Sequence, residues 1–345
     1  MLPAGKAVMR LSAKYRTGLV LFAFAGVAAL DSPVSAYNET GHYYTVAAVT
    51  HQLLSKLPLE QASLVAFCAQ LPDIAEELDA TKVYRSMAWP HLLTYGRWAI
   101  AGSSWDDSVG RMVAVQQLLH ALTGGQSQAI QTVAMETVDA LATAIRPPQG
   151  GDSTALCALG FAMHLYGDSF AHRQLDDPGV MYPTGQGHAR DFHRPDYILY
   201  ELTTGSNVRA QAWRSYLQAT PALLGRFTLD GVLLDQKTSE IMKLPSGSPK
   251  PVFRNTYLEG TIRTILARGL RLPDLKPPPE KNPSGKCQAY VAGVFKDKLF
   301  GSLPAPKCQD VWHLFRAAAE AAFNRTPSAR DAAISVGYLD PAFGP

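Results

Sequence analysis

The chain has 345 residues, enough for one large domain or two small ones, and carries a formal net charge of +3. Four of its 32 Lys and Arg (Lys6, Arg10, Lys14, Arg16) and one of its 29 Asp and Glu (Asp31) lie in the first 36 residues, which leaves 28 of each beyond them. A polyanion binder normally carries a basic excess or patch, so this balance counts against a protein that grips nucleic acid through side-chain charge, although metal ions can supply a positive field of their own.

The four basic residues form an n-region ahead of an apolar run over residues 18–30. Pro33, Val34, Ser35 and Ala36 then supply a helix breaker and small residues suited to signal peptidase. The run is shorter than the roughly 20 residues of a membrane-spanning helix. Residues 1–36 are therefore expected to be a signal peptide, with Tyr37 as the mature N-terminus of a secreted or periplasmic protein without a stable membrane span.

Helix signals dominate the chain beyond residue 37. Apolar residues recur at helical spacing over 43–57, ending at Pro58, and over 109–122, ending near Gly124-Gly125. Further helices are expected over 129–145, before Pro147-Pro148, and over 155–172. Shorter helical signals lie at 195–202, 213–220 and 257–270. Proline-rich stretches at 244–251 and 276–285 read as a loop and a stiff linker, and an alanine-rich helix is expected over 309–324. Alternating β-branched runs are scarce, so the expected fold is mainly α, with no substantial sheet. The expected organisation is a compact multi-helix metal-binding catalytic domain over 37–275, followed by a C-terminal appendage over 276–345.

Four cysteines in an exported chain point to disulfides, and the absence of any Cys-x-x-Cys pair argues against a thiolate zinc site. Cys287 and Cys308 are near neighbours in sequence and are expected to pair, which leaves Cys68 with Cys157 as the second pair; other pairings stay open.

The chemistry concentrates in residues 161–172, Phe-Ala-Met-His-Leu-Tyr-Gly-Asp-Ser-Phe-Ala-His. Residues four apart on a helix sit one turn above each other, so His164, Asp168 and His172 line one ridge. A lone His on an apolar helix is usually a satisfied core residue. Three nitrogen and oxygen donors on one ridge instead suit a divalent metal such as zinc. Other donors lie at His42, shortly after the expected N-terminus, at Asp73 after Leu71-Pro72, and at His91 after Trp89-Pro90. His188, His193 and Asp196 cluster further on. His120, before the Gly pair, reads as a capping or core residue in preference to an outer partner of a metal ligand. No adjacent His-Asp pair, Gly-x-Ser-x-Gly elbow or P-loop lysine motif occurs, which removes HD-type phosphohydrolases, serine hydrolases and P-loop proteins.

This order of donors resembles the zinc-dependent phospholipase C and single-strand nuclease superfamily, over roughly residues 37–200. The resemblance implies a mainly helical fold that holds up to three zinc ions. One ion would take the α-amino group and carbonyl of Tyr37 with His42, and Tyr37 stands where that family usually has Trp. A second would take Asp73, His91 and His164, with Asp168 bridging towards the first. A third would take His172, one or both of His188 and His193, and Asp196, with His188 the favoured partner of Asp196. The implied reaction is hydrolysis of a phosphodiester by metal-activated water, with Asp73 and Asp168 in catalytic roles. Phospholipid is favoured over single-stranded nucleic acid as substrate because the mature chain is neutral. A secreted binding module with structural metal is the non-enzymatic alternative.

Overall fold

A computed structural model describes residues 38–53, 57–75, 77–80, 113–145, 152–184, 208–223, 231–243, 261–262, 264–266, 268, 286–296 and 298–330. The expected leader, the helix expected from residue 195 and both proline-rich stretches lie outside these residues.

Among the described residues the protein is helical, and its β-type pairing is confined to two isolated antiparallel bridges, Gln126↔Val180 and Arg173↔Met181. The expectation of a mainly α fold is met. In chain order the helices are α1 (Asn38–Leu53), α2 (Leu59–Ile74), a π-helical turn (Val115–Leu119), α3 (Ser127–Ala144) and α4 (Ser153–Ala171). They continue with α5 (Val208–Leu223), α6 (Gly231–Met242), α7 (Cys287–Lys296) and α8 (Cys308–Arg325).

Helix α4 is the axis. All of its residues except Thr154 and Ala155 are buried, and a helix enclosed on every face needs neighbours on every face. Helices α2, α3, α5 and α8 pack around it. Its start is fixed by Asp152, whose carboxylate accepts from the Ala155 N–H at 2.8 Å, a cap that contributes about 1 kcal/mol. Helix α2 is almost as enclosed, with an unbroken buried run from Ala62 to Asp73.

The C-terminal helices join the same core. Phe315 of α8 meets Phe161 of α4 edge-on at 5.8 Å, while Phe67 of α2 packs against Tyr290 and Phe300. Glu77, just past α2, accepts from the Cys287 N–H at 3.1 Å at the start of α7. Disulfides join Cys287 to Cys308 and Cys68 to Cys157, the two expected pairs. No helix among the described residues is long and apolar enough to cross a membrane.

Candidate metal centre

Several separate segments deliver polar side chains to one buried place beside α4. His42 comes from α1, Asp73 from the last turn of α2, and His164 and Asp168 from α4; His172 caps the end of α4. Asp73 follows Pro72, which lies inside the helix and lacks the N–H of a regular turn. Asp73 thus belongs to the helix end.

The remaining contributor is His120, which closes the π-helical turn. Its N–H bonds back to the Val115 carbonyl at 3.2 Å, and the Leu122 N–H reaches the Gln116 carbonyl at 2.9 Å. His120 itself sits at φ −108°, ψ 10°, a sparsely populated backbone region. Ala121 follows in the left-handed region at φ 55°, where a Cβ costs about 1–2 kcal/mol. Rare backbone states gathered around one residue are characteristic of functional sites.

The hydrogen bonds of the rings fix their tautomers. A carbonyl oxygen only accepts, so a ring nitrogen bonded to it must carry the proton. His164 Nδ1 donates to the Ala69 carbonyl at 2.8 Å, and His120 Nε2 donates to the Leu78 carbonyl at 2.9 Å. His172 Nδ1 donates to the His120 carbonyl at 2.5 Å. In the neutral rings the opposite nitrogens, His164 Nε2, His120 Nδ1 and His172 Nε2, therefore present lone pairs. Backbone carbonyls orient metal-ligating imidazoles in this way.

Two of these lone pairs converge on Asp168. His164 Nε2 lies 3.1 Å from Asp168 Oδ2 and 3.2 Å from His120 Nδ1, and His120 Nδ1 lies 3.2 Å from the same oxygen. Three acceptors so close repel one another unless a cation sits among them. Zinc bonds of about 2.0–2.1 Å in a tetrahedron imply ligand–ligand edges of roughly 3.3 Å, which this triangle nearly matches. Asp73 Oδ1 stands 3.9 Å from both His120 Nδ1 and His164 Nε2, at the side of a fourth ligand.

The other oxygen of Asp168 faces elsewhere: Oδ1 lies 3.0 Å from His42 Nε2, and the His42 ring stacks on His164 at 4.0 Å. Two groups of donors could thus hold an ion, His42–His164–Asp168 and Asp73–His120–His164. They share His164, whose single lone pair serves one ion, so the two groups are overlapping parts of one cluster.

Burial sharpens the electrostatics. Asp168 and His164 have no exposed surface, and His42, His120 and His172 have at most 2%. Burial lowers His164 from 6.5 to about 3, outweighing the raising pull of Asp168, so its ring is neutral near physiological pH. Burial alone would raise Asp168, but the imidazoles of His164, His172 and His42 around it, with the His120 ring beside it, hold it well below the usual carboxylate range. A permanent carboxylate beside oriented lone pairs is a donor set that fits a divalent cation.

Comparison with protein-family models, with curated proteins and with solved structures yields no match to this chain. Of the residues expected from sequence, His42, Asp73, His164, Asp168 and His172 come together, while Tyr37, His91, His188, His193 and Asp196 lie outside the described residues. Opposite Asp73 and His164, where the family resemblance puts His91, stands His120. Its sequence context, the end of an apolar segment before a glycine pair, carries no ligand spacing. His120 reaches the cluster at the end of the π-helical turn, next to the left-handed Ala121.

Proposed function

We propose that the protein is a secreted or periplasmic metal-dependent phosphoric ester hydrolase, phospholipase C-like, that uses zinc. What carries the reading is the placement of Asp168: one oxygen faces His164 and His120 while the other faces His42. A carboxylate shared between two imidazole groups suits neighbouring ions, and a purely structural ion does not require it. When bound, such ions supply Lewis-acid charge to an anionic ester and make water acidic enough to react near neutral pH.

The residues of the chain have distinct parts in this scheme. His120, His164, Asp168 and Asp73 would hold one ion, and His42 with the far oxygen of Asp168 would hold part of another. His172, whose Nδ1 is held by the His120 carbonyl, would offer its Nε2 to a third. Asp73 is the carboxylate positioned to take a proton from water. Paired disulfides fit export to an oxidising compartment. A phospholipid head-group phosphodiester is the favoured substrate, in line with the formal neutrality of the mature chain.

The near-complete burial of the cluster favours one further reading, a structural metal in a binding module, because closed sites are the structural kind. Chelation followed by assay separates the two. The enzyme reading predicts zinc-dependent release of phosphorylcholine from phosphatidylcholine, lost on chelation while the circular dichroism of the helices persists, and restored by zinc. Cleavage of single-stranded DNA alone would overturn the substrate assignment. Loss of fold together with metal, with no turnover of either substrate, would favour the structural role.

A further inference from the structure

Helices α2 and α4 meet along a seam that leads directly into the metal centre. Cys68 of α2 and Cys157 of α4 are disulfide-bonded, and neither has exposed surface. Further along α4, Gly160 lies so close to α2 that an added Cβ would fall 2.5 Å from the Val65 carbonyl oxygen, 2.7 Å from Cys68 Cβ and 3.0 Å from the Ala69 nitrogen. One turn on, His164 Nδ1 donates to the Ala69 carbonyl. One more turn brings Asp168 to the place faced by Asp73 from the end of α2. Residues 160, 164 and 168 stack on one ridge of α4, so bridge, close approach, ring orientation and carboxylates are successive rungs between the same two helices.

This order has a chemical consequence. Ala69 directly follows Cys68, so the bridge fixes where the Ala69 carbonyl stands relative to α4. A slip of about 1 Å would take its 2.8 Å hydrogen bond with His164 out of bonding range. A neutral His164 freed from that carbonyl can carry its proton on Nε2, the nitrogen that faces Asp168, and the lone pair a metal needs is then occupied.

We propose that Cys68, Cys157 and Gly160 are positioning residues of the metal centre, and that metal binding and the Cys68–Cys157 disulfide are thermodynamically linked. The inference rests on the metal-binding reading above. Linkage is reciprocal: if the bridged protein binds zinc more tightly than the unbridged protein by some factor, zinc makes the bridge harder to reduce by that same factor. In reduction by a monothiol such as glutathione, two thiols deliver two electrons and two protons to Cys68 and Cys157. The products are two protein thiols and one glutathione disulfide.

The test uses the full mature chain. Zinc affinity is measured against a competing chelator for the wild type, for C68S/C157S and for G160A. The reduction equilibrium of each bridge is then measured in glutathione buffers, with free zinc held by a chelator buffer, and read by alkylation and peptide mapping. Affinity is expected to fall at least about tenfold in C68S/C157S, the range for losing an outer partner of a ligand. Zinc is expected to lower the reduction constant of Cys68–Cys157 by the same factor and leave that of Cys287–Cys308 unchanged. G160A, with both bridges intact, is expected to weaken zinc binding and to shift the His164 ring proton from Nδ1 towards Nε2 in nitrogen-resolved NMR.

If C68S/C157S does not fold, G160A and the wild-type redox equilibrium carry the test alone. Unchanged zinc affinity in the variants, or equal zinc effects on both bridges, overturns the proposal and leaves the bridge a stabiliser of the fold. A wild-type chain that binds no zinc overturns the metal reading itself, a different and recognisable failure.

Discussion

His120 contributes two groups to the cluster: its ring nitrogen faces Asp168, and its carbonyl orients His172. Replacing it with alanine removes the ring and leaves the carbonyl, so H120A is expected to lose zinc affinity while the His172 ring keeps its proton on Nδ1. Metal titration and nitrogen-resolved NMR of the ring check the two halves separately. Asp168→Asn keeps the size and removes the charge that faces both imidazole groups. Its zinc affinity is expected to fall by more than the roughly 10–100-fold typical of losing an outer partner, with helicity retained.

The same residues set an acid limit for the metal-free protein. With His164 held at about 3 instead of 6.5, the folded chain refuses a proton that the unfolded chain accepts. That contribution is constant above 6.5, and stability falls as pH drops from 6.5 towards 3, by up to about 1.4 kcal/mol per pH unit. Asp168 acts in the same direction at lower pH: held below 3.8, it stabilises fully above that pH and loses its contribution beneath it. Urea melts of the chelated protein at pH values of roughly 7.5, 5.5 and 4.5 are expected to show declining stability. A flat profile would contradict a neutral, buried His164.

At the scale of elements, legibility tracks the pattern of burial. The expected helices over 129–145, 155–172 and 309–324 correspond closely to α3, α4 and α8, with ends displaced by a residue or two. Spacing of four in α4 is enough to place His164 and Asp168 on one ridge. Helix α2 leaves no readable pattern because it is buried on nearly all faces and shows no polar stripe, and because Pro72 mimics a stop. Helix α1 begins at Asn38, earlier than expected, so His42 stands on a helix. The position of His120 depends on a π-helical turn and a left-handed alanine, neither of which leaves a local signature. Ala121→Gly relieves that backbone strain and is expected to stabilise the metal-free fold by up to about 1 kcal/mol. Gly160→Ala forces a methyl into the Val65 carbonyl and is expected to destabilise by about 1–3 kcal/mol. Chemical denaturation measures both.

For the whole molecule, disulfides are the covalent cross-links among the helices around α4. The disulfides span 89 and 21 residues of sequence, which in the chain-entropy picture contribute about 4–5 and 3 kcal/mol respectively. The donor cluster gathers side chains from α1, α2, the π-helical turn and α4 at one point, so zinc held there at a thousandfold excess over its dissociation constant is expected to add about 4 kcal/mol to unfolding.

The most direct measurement is the metal content of the chain from Tyr37 onward, read by elemental mass spectrometry after zinc reconstitution and gel filtration, beside H164A and H120A. At least one tightly held zinc per wild-type chain is expected, with a clear loss in both variants. A wild-type chain that emerges without metal, or variants that retain as much zinc as the wild type, would contradict it.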